Sequence, residues 1–224
     1  TFHAENVISP DAPKAGYQLE STDAGESQLD MIRKLELSQD SFRQLEAYCR
    51  EQGIIFMSTP FDLPSVDFLD ELGVPAFKVP SGETLNLPLL RRIGNKQKPV
   101  ILSTGMSTMD EVAQAVDTIR RTGNDQLVIL QCVSNYPADV SDVNLNAMQT
   151  MGNAFQTSVG FSDHTLGLEV PFAAVALGAC VIEKHFTLRR TDGGVDSAST
   201  SISTTSPFNF CSTAAPSTSQ NEFS

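Results

Sequence analysis

AFKVPSGETLNLPLLRRIGNKQKPVILSTG, spanning Ala76–Gly105, holds the repeating element of this chain once over. An apolar run, Ala76–Val79, ends in Ser81, Gly82 and Glu83. A segment of helical period follows over 86–96, and a second apolar run, Pro99–Ser103, ends in Ser103, Thr104 and Gly105. Two strands separated by a helix of this length form a parallel pair with a helical crossover. Apolarity that is continuous rather than alternating marks strands covered on both faces.

The same pattern extends in both directions. Further strand-length runs stand at Ile54–Ser58, Leu127–Gln131, Thr157–Phe161 and Cys180–Phe186, with helical segments over 40–52, 62–72, 108–122, 144–154 and 168–178. Ser38 or Asp40, Asp62, and Ser107 or Thr108 sit where helices start, and Gly73, Gly123 and Gly178 where helices stop. A doubly wound sheet and a (β/α)8 barrel both fit this alternation. The polar residues favour the barrel: Thr59, Ser81, Ser103, Ser134, Ser162 and Glu183 all fall at or just past the C-terminal end of a strand, and a barrel converges those ends on one mouth. The expectation is an α/β fold, a partial TIM barrel with about six of its eight strands, over residues 1–198. Residues 1–37 read as loop with one short helix near Leu29–Leu35, and the Ser/Thr-rich stretch 199–224 as a disordered tail.

A net charge of −12 and a pI near 4.5 speak against nucleic acid and anionic membrane as partners, because both are repelled at long range. Any anionic ligand must be held by local cations. No run approaches the roughly 20 apolar residues of a membrane span. The four cysteines lack CxxC spacing and read as reduced thiols of a cytoplasmic protein.

Two of the three histidines, His164 and His185, close consecutive strands, which makes them neighbours at a barrel mouth. An imidazole pair of this kind suits Mn, Fe, Co or Zn, with Mn favoured among the harder ions if carboxylate, water or substrate fills the remaining positions. Glu83 and Asp196 are candidates to complete or face such a site. Hydrogen-bonded core histidines are the plainer alternative, and His3 is assigned no role. Lys78, inside an apolar strand, is costly to bury unless it meets an anion or a carboxylate such as Glu183. It is otherwise a candidate Schiff-base nucleophile. The hydroxyls of Thr59, Ser81, Ser103 and Ser162 on successive strand ends suit a phosphate or carboxylate cradle, or ordinary strand-end hydrogen bonding.

The segments MSTPFD (57–62), FKVPSGE (77–83), KPVILSTGM (98–106), SNYP (134–137), GFSDHTLG (160–167) and IEKHFTL (182–188), in this order, closely resemble the sialic acid synthase family. That family comprises N-acetylneuraminate, legionaminate and pseudaminate synthases. The resemblance implies a TIM barrel that condenses phosphoenolpyruvate with an N-acetylmannosamine-type sugar, giving a sialic acid and phosphate. It implies that His164 and His185 bind the metal, usually Mn. It further implies that Thr59, Lys78, Ser81, Ser103, Ser134 and Ser162 hold phosphoenolpyruvate, that Tyr136 and Asp196 lie near the sugar, and that Glu83 is catalytic, orienting a water and the acceptor oxygen. The family works as a homodimer in which a small C-terminal domain lends an arginine to the partner. Its first two strands and that domain have no counterpart in these residues, so the chain reads as part of a synthase with little or no turnover by itself. Two other readings stand beside this one: a binding-only product, and a Schiff-base aldolase using Lys78 or Lys184.

Overall fold

The computed structural model describes residues 1–13, 25–187 and 201–202. Contacts divide the chain into two compact units, Thr1–Ile129 and Leu130–Ser224. The first contains α1 (Ala4–Val7), α2 (Gln28–Arg33), α3 (Gln39–Glu51), α4 (Leu63–Leu72), β1 (Phe77–Val79), α5 (Leu87–Gly94), β2 (Val100–Ser103) and α6 (Met109–Arg120), followed by the opening of β3 (Leu127–Cys132). The second takes up the end of β3 and continues through α7 (Asn146–Phe155), β4 (Ser158–Asp163), α8 (Glu169–Ala176), β5 (Ile182–Lys184), β6 (Phe186–Thr187) and β7 (Ser201–Ile202).

In the first unit the strand order is β1-β2-β3, with β1 and β2 parallel and Phe77 opposite Val100. The strands form where the apolar runs predict them because their side chains are enclosed: Phe77, Val79, Val100 and Leu102 are fully buried. Leu89, Leu90 and Ile93 of α5 and Val112, Val116 and Ile119 of α6 complete that core. Helix ends follow local chemistry. Ser38, Asp62 and Thr108 each accept a backbone N–H three residues on, and Thr108 with Glu111 forms a capping box. Gly73 ends α4 at φ 85°, a left-handed conformation that costs a residue without Cβ nothing.

One predicted strand is absent. Ile54–Ser58 joins no ladder among the described residues, and Ile54 and Ile55 are 60% and 68% exposed. Its backbone bonds go elsewhere: the Ile54 N–H reaches Cys49 at the end of α3, and Phe61 N–H, just beyond, reaches Thr1. Apolar character makes a run suitable for a sheet; only a neighbouring strand makes it one.

In the second unit the order is β3-β4-β5, and β4 and β5 run parallel with Phe161 opposite Ile182, Ser162 opposite Glu183 and Asp163 opposite Lys184. Val143, Met148, Phe161, Val170 and Ala174 form its core, with Val159 and Ile182 against it. The register is tightly specified at Gly160. A Cβ there would lie 2.4 Å from the Val181 carbonyl oxygen and 2.6 Å from Leu130 Cδ2, so only glycine allows the strands this close. The predicted strand Cys180–Phe186 is interrupted at His185, after which β6 pairs in parallel with β7. Apart from Ser201 and Ile202, the tail 199–224 lies outside the described residues. Cys49, Cys132 and Cys180 are free thiols, and Cys211 lies outside the described residues. Among the described residues no helix is long and apolar enough to cross a membrane.

Candidate active site

Polar residues gather at the C-terminal ends of the strands in each unit, as the sequence predicts. In the first unit β1 and β2 are short, and their ends are stitched together by side chains. Lys78 Nζ donates to Ser103 Oγ at 2.9 Å and to the Val79 carbonyl at 3.0 Å. Ser81 begins a 3-10 turn directly after β1, and its Oγ accepts the Gly105 N–H at 2.9 Å. Thr84, fully buried, donates through Oγ1 to the carbonyls of Ser81 and Ser103, at 2.9 and 3.2 Å. Lys78, Ser81 and Ser103 are thereby brought together, and an ammonium beside two hydroxyls is a donor set suited to a phosphate or carboxylate.

Glu83 stands at the end of the same turn, where Asn86 Nδ2 donates to its Oε2 at 2.7 Å. Asn86 in turn caps α5 through the Leu89 N–H, so the orientation of Glu83 is tied to a helix start. Thr59 lies half-buried in the irregular segment ahead of α4; the bonds that join Lys78, Ser81, Thr84 and Ser103 do not include it.

In the second unit His164 follows the last residue of β4 and is buried, 5% exposed. Its Nδ1 lies 2.6 Å from the Val133 carbonyl oxygen and 3.9 Å from Cys132 Sγ. A carbonyl can only accept, so Nδ1 carries a proton and Nε2 is the nitrogen left to meet a ligand. A backbone carbonyl fixing one nitrogen of a histidine while the other stays basic is how metal-binding histidines are oriented. The His164 and His185 rings have centroids 5.2 Å apart, and Tyr136 contacts both, at 4.1 and 5.6 Å. A metal about 2.1 Å from each ligating nitrogen stands about 3.2 Å from each ring centre, so two cis imidazoles have centres roughly 4.6 to 5.3 Å apart. The observed pair satisfies that spacing. Among the described residues no cluster of three or more His, Cys, Asp or Glu side chains suited to a metal is present, so the two imidazoles are the donors in hand. Ser162 is buried at the end of β4, opposite Glu183. Ser134 is half-buried just beyond β3, and Asp196 lies outside the described residues.

Sequence reasoning missed one feature of this unit. Asp163, with no exposed surface, is ion-paired to Lys184. Its Oδ1 accepts from the backbone N–H and hydroxyl of Thr165, at 2.9 and 2.7 Å, and Lys184 Nζ also donates to the Thr165 carbonyl at 2.7 Å. Lys184 Nζ is thus engaged by two acceptors of the β4 turn, the Asp163 carboxylate and the Thr165 carbonyl, a structural role that competes with service as a Schiff-base nucleophile. The signal was present in the sequence: opposite charges each stand one residue before a histidine at the ends of adjacent parallel strands.

Comparison with known proteins adds to this geometry. The model of a family described as the NeuB family matches residues 1–208. The chain is 48% identical over 198 residues to N,N'-diacetyllegionaminic acid synthase of Campylobacter jejuni, a match covering 88% of this chain and 59% of that protein. It is 41% identical over 165 residues to human N-acetylneuraminate-9-phosphate synthase, covering 73% and 46% of the two chains. Among solved structures it is similar to N-acetylneuraminic acid (sialic acid) synthetase of Leptospira borgpetersenii in complex with citrate, with a TM-score of 0.75, 33% identity, and coverage of 83% of this chain and 64% of that one. A truncated 3-deoxy-D-arabino-heptulosonate 7-phosphate synthase of Thermotoga maritima shares the fold, with a TM-score of 0.63 at 17% identity. The chain spans about half the length of the curated relatives it matches.

Proposed function

The chain belongs to the NeuB family, and from that premise we propose that its whole protein is a cytoplasmic sugar-acid synthase that condenses phosphoenolpyruvate with an N-acetylmannosamine-type sugar. The observation that carries the reading is the state of His164. With Nδ1 bonded to Val133 and its ring 5.2 Å from that of His185, it has Nε2 left for a ligand beside a second imidazole, the donor pair this chemistry calls for.

The reaction joins the terminal enol carbon of phosphoenolpyruvate to the aldehyde carbon of the open-chain sugar. Cationic character left on the carbon bearing the phosphate oxygen is quenched by water. The tetrahedral product then loses phosphate by cleavage of the C–O bond, so the bridging oxygen leaves with phosphorus. Lys78, with Ser81 and Ser103, holds the anionic phosphate and carboxylate and offsets their charge. Glu83, anchored through Asn86, is the group assigned to orient the incoming water and the acceptor oxygen. Thr59, Ser134 and Ser162 supply further donors to the anion, and Tyr136 and Asp196 border the sugar. A divalent ion held by His164 and His185, Mn2+ in this reading, supplies Lewis acidity toward the aldehyde oxygen. His164 directs its Nδ1 proton to Val133, which leaves Nε2 as its ligating nitrogen.

The test is run on the protein expressed from its complete coding sequence. With phosphoenolpyruvate, N-acetylmannosamine and Mn2+ present, phosphate and a nine-carbon sugar acid form in equal amounts, and chelation of the metal stops both. Phosphate release that does not depend on the sugar, or no sugar acid in the presence of metal, overturns the proposal.

A further inference from the structure

The ion pair between Asp163 and Lys184 has a geometry that simple burial of two charges does not require. Lys184 Nζ grips the carboxylate of Asp163 and the carbonyl of Thr165, the residues on either side of His164, while Lys184 itself directly precedes His185 in sequence. The other carboxylate oxygen of Asp163 is filled by two donors from Thr165. One ammonium thus brackets the first histidine and adjoins the second. Asp163 and Lys184 are also register partners of β4 and β5, and a slip of one residue would send every side chain of a strand to its other face. At the far end of β4, Gly160 meets Val181 with no room for a Cβ. The register is therefore set at two points, by close backbone approach at one end and by opposite charges at the other.

We propose that Asp163 and Lys184 are positioning residues: together they fix the turn at His164 and its approach to His185, and neither touches the reacting atoms. The inference rests on the reading of His164 and His185 as metal ligands and extends it to a supporting pair. Replacing either charge alone strands its partner in a buried site, so the informative variant removes both, Asp163→Asn with Lys184→Met. Lys184→Met alone serves if the double variant does not fold, since Asp163 then retains both bonds from Thr165. Lys184→Arg keeps the charge.

Mn2+ binding is titrated by electron paramagnetic resonance, folding is followed by circular dichroism, and the tautomer of His164 is read from imidazole 15N shifts in the metal-free protein. The expected result is a folded charge-free variant that binds Mn2+ at least tenfold more weakly, on the scale found when outer-shell partners of metal ligands are removed. Its His164 shows mixed tautomers in place of the Nδ1–H form, and Lys184→Arg binds within about threefold of the wild type. A folded charge-free variant with wild-type affinity and an unchanged His164 spectrum overturns the proposal. If the wild type binds no Mn2+, the metal reading fails, and the 15N spectra alone decide the positioning role: a tautomer shift in the variant supports it and no shift overturns it.

Discussion

Asp62→Asn is the substitution whose effect the structure specifies most fully. The carboxylate of Asp62 caps α4 through Oδ1, which accepts the Ser65 N–H at 2.7 Å, while Oδ2 collects the His3 N–H, His3 Nδ1 and Asn6 Nδ2 at 2.8, 2.9 and 3.1 Å. Burial pushes the pKa of this group up, but the hydrogen bonds from Ser65, His3 and Asn6 outweigh that and hold it at about 2. Against about 3.9 for a free aspartate, the difference is worth about 2 kcal/mol of folding stability. A pKa depressed on folding contributes fully above the unfolded value and is lost as the pH falls toward the folded one. The contribution is therefore complete above about pH 5 and declines toward pH 2. Asparagine caps a helix as well as aspartate does, so the variant keeps the bond to Ser65 and loses the charge. Urea unfolding followed by circular dichroism, on both proteins from pH 7 down to about pH 2, should show a stability gap that narrows by about 2 kcal/mol as the pH falls. Parallel curves over the whole range, or a gap that widens in acid, would refute the reasoning.

Other substitutions test other parts of the account. Gly160→Ala forces a Cβ against the Val181 carbonyl and should cost at least 1–3 kcal/mol, on the order of other overpacked sites, seen as a lowered thermal midpoint; an unchanged midpoint would show that β4 and β5 can separate freely. Thr84→Val removes the hydroxyl that binds the Ser81 and Ser103 carbonyls, at a cost of about 1–3 kcal/mol. It should weaken phosphoenolpyruvate binding in calorimetry, and wild-type affinity would detach Thr84 from the anion site. Borohydride reduction in the presence of pyruvate should add no mass to the protein, because Lys184 Nζ is engaged by Asp163 and Thr165 and Lys78 Nζ by Ser103 and Val79; a trapped adduct would revive the aldolase reading.

The helices were legible because their signals are local. Ser38, Asp62 and Thr108 cap within three residues, and the stripes Val66–Leu69 and Val112–Val116–Ile119 recur at helical spacing. Five of the six apolar runs became strands of the main sheet, whereas Ile54–Ser58 did not, since pairing depends on a neighbour that the run does not encode. The closeness of His164 and His185 was readable from two histidines ending consecutive strands. The Val133 carbonyl that sets the His164 tautomer was not readable, because a backbone group leaves no mark in composition. Lys184 was read as a possible nucleophile because its partner is 21 residues distant, and only the register of β4 on β5 joins them.

The central claim, that His164 and His185 form a metal site, is tested most directly by electron spin echo measurements on the Mn2+-loaded protein, which detect nitrogen bound to the ion. The account predicts imidazole nitrogen coupling in the wild type that falls by half in His185→Ala and weakens equally in His164→Ala. Mn2+ that binds without nitrogen coupling, or coupling that survives loss of both histidines, would contradict it.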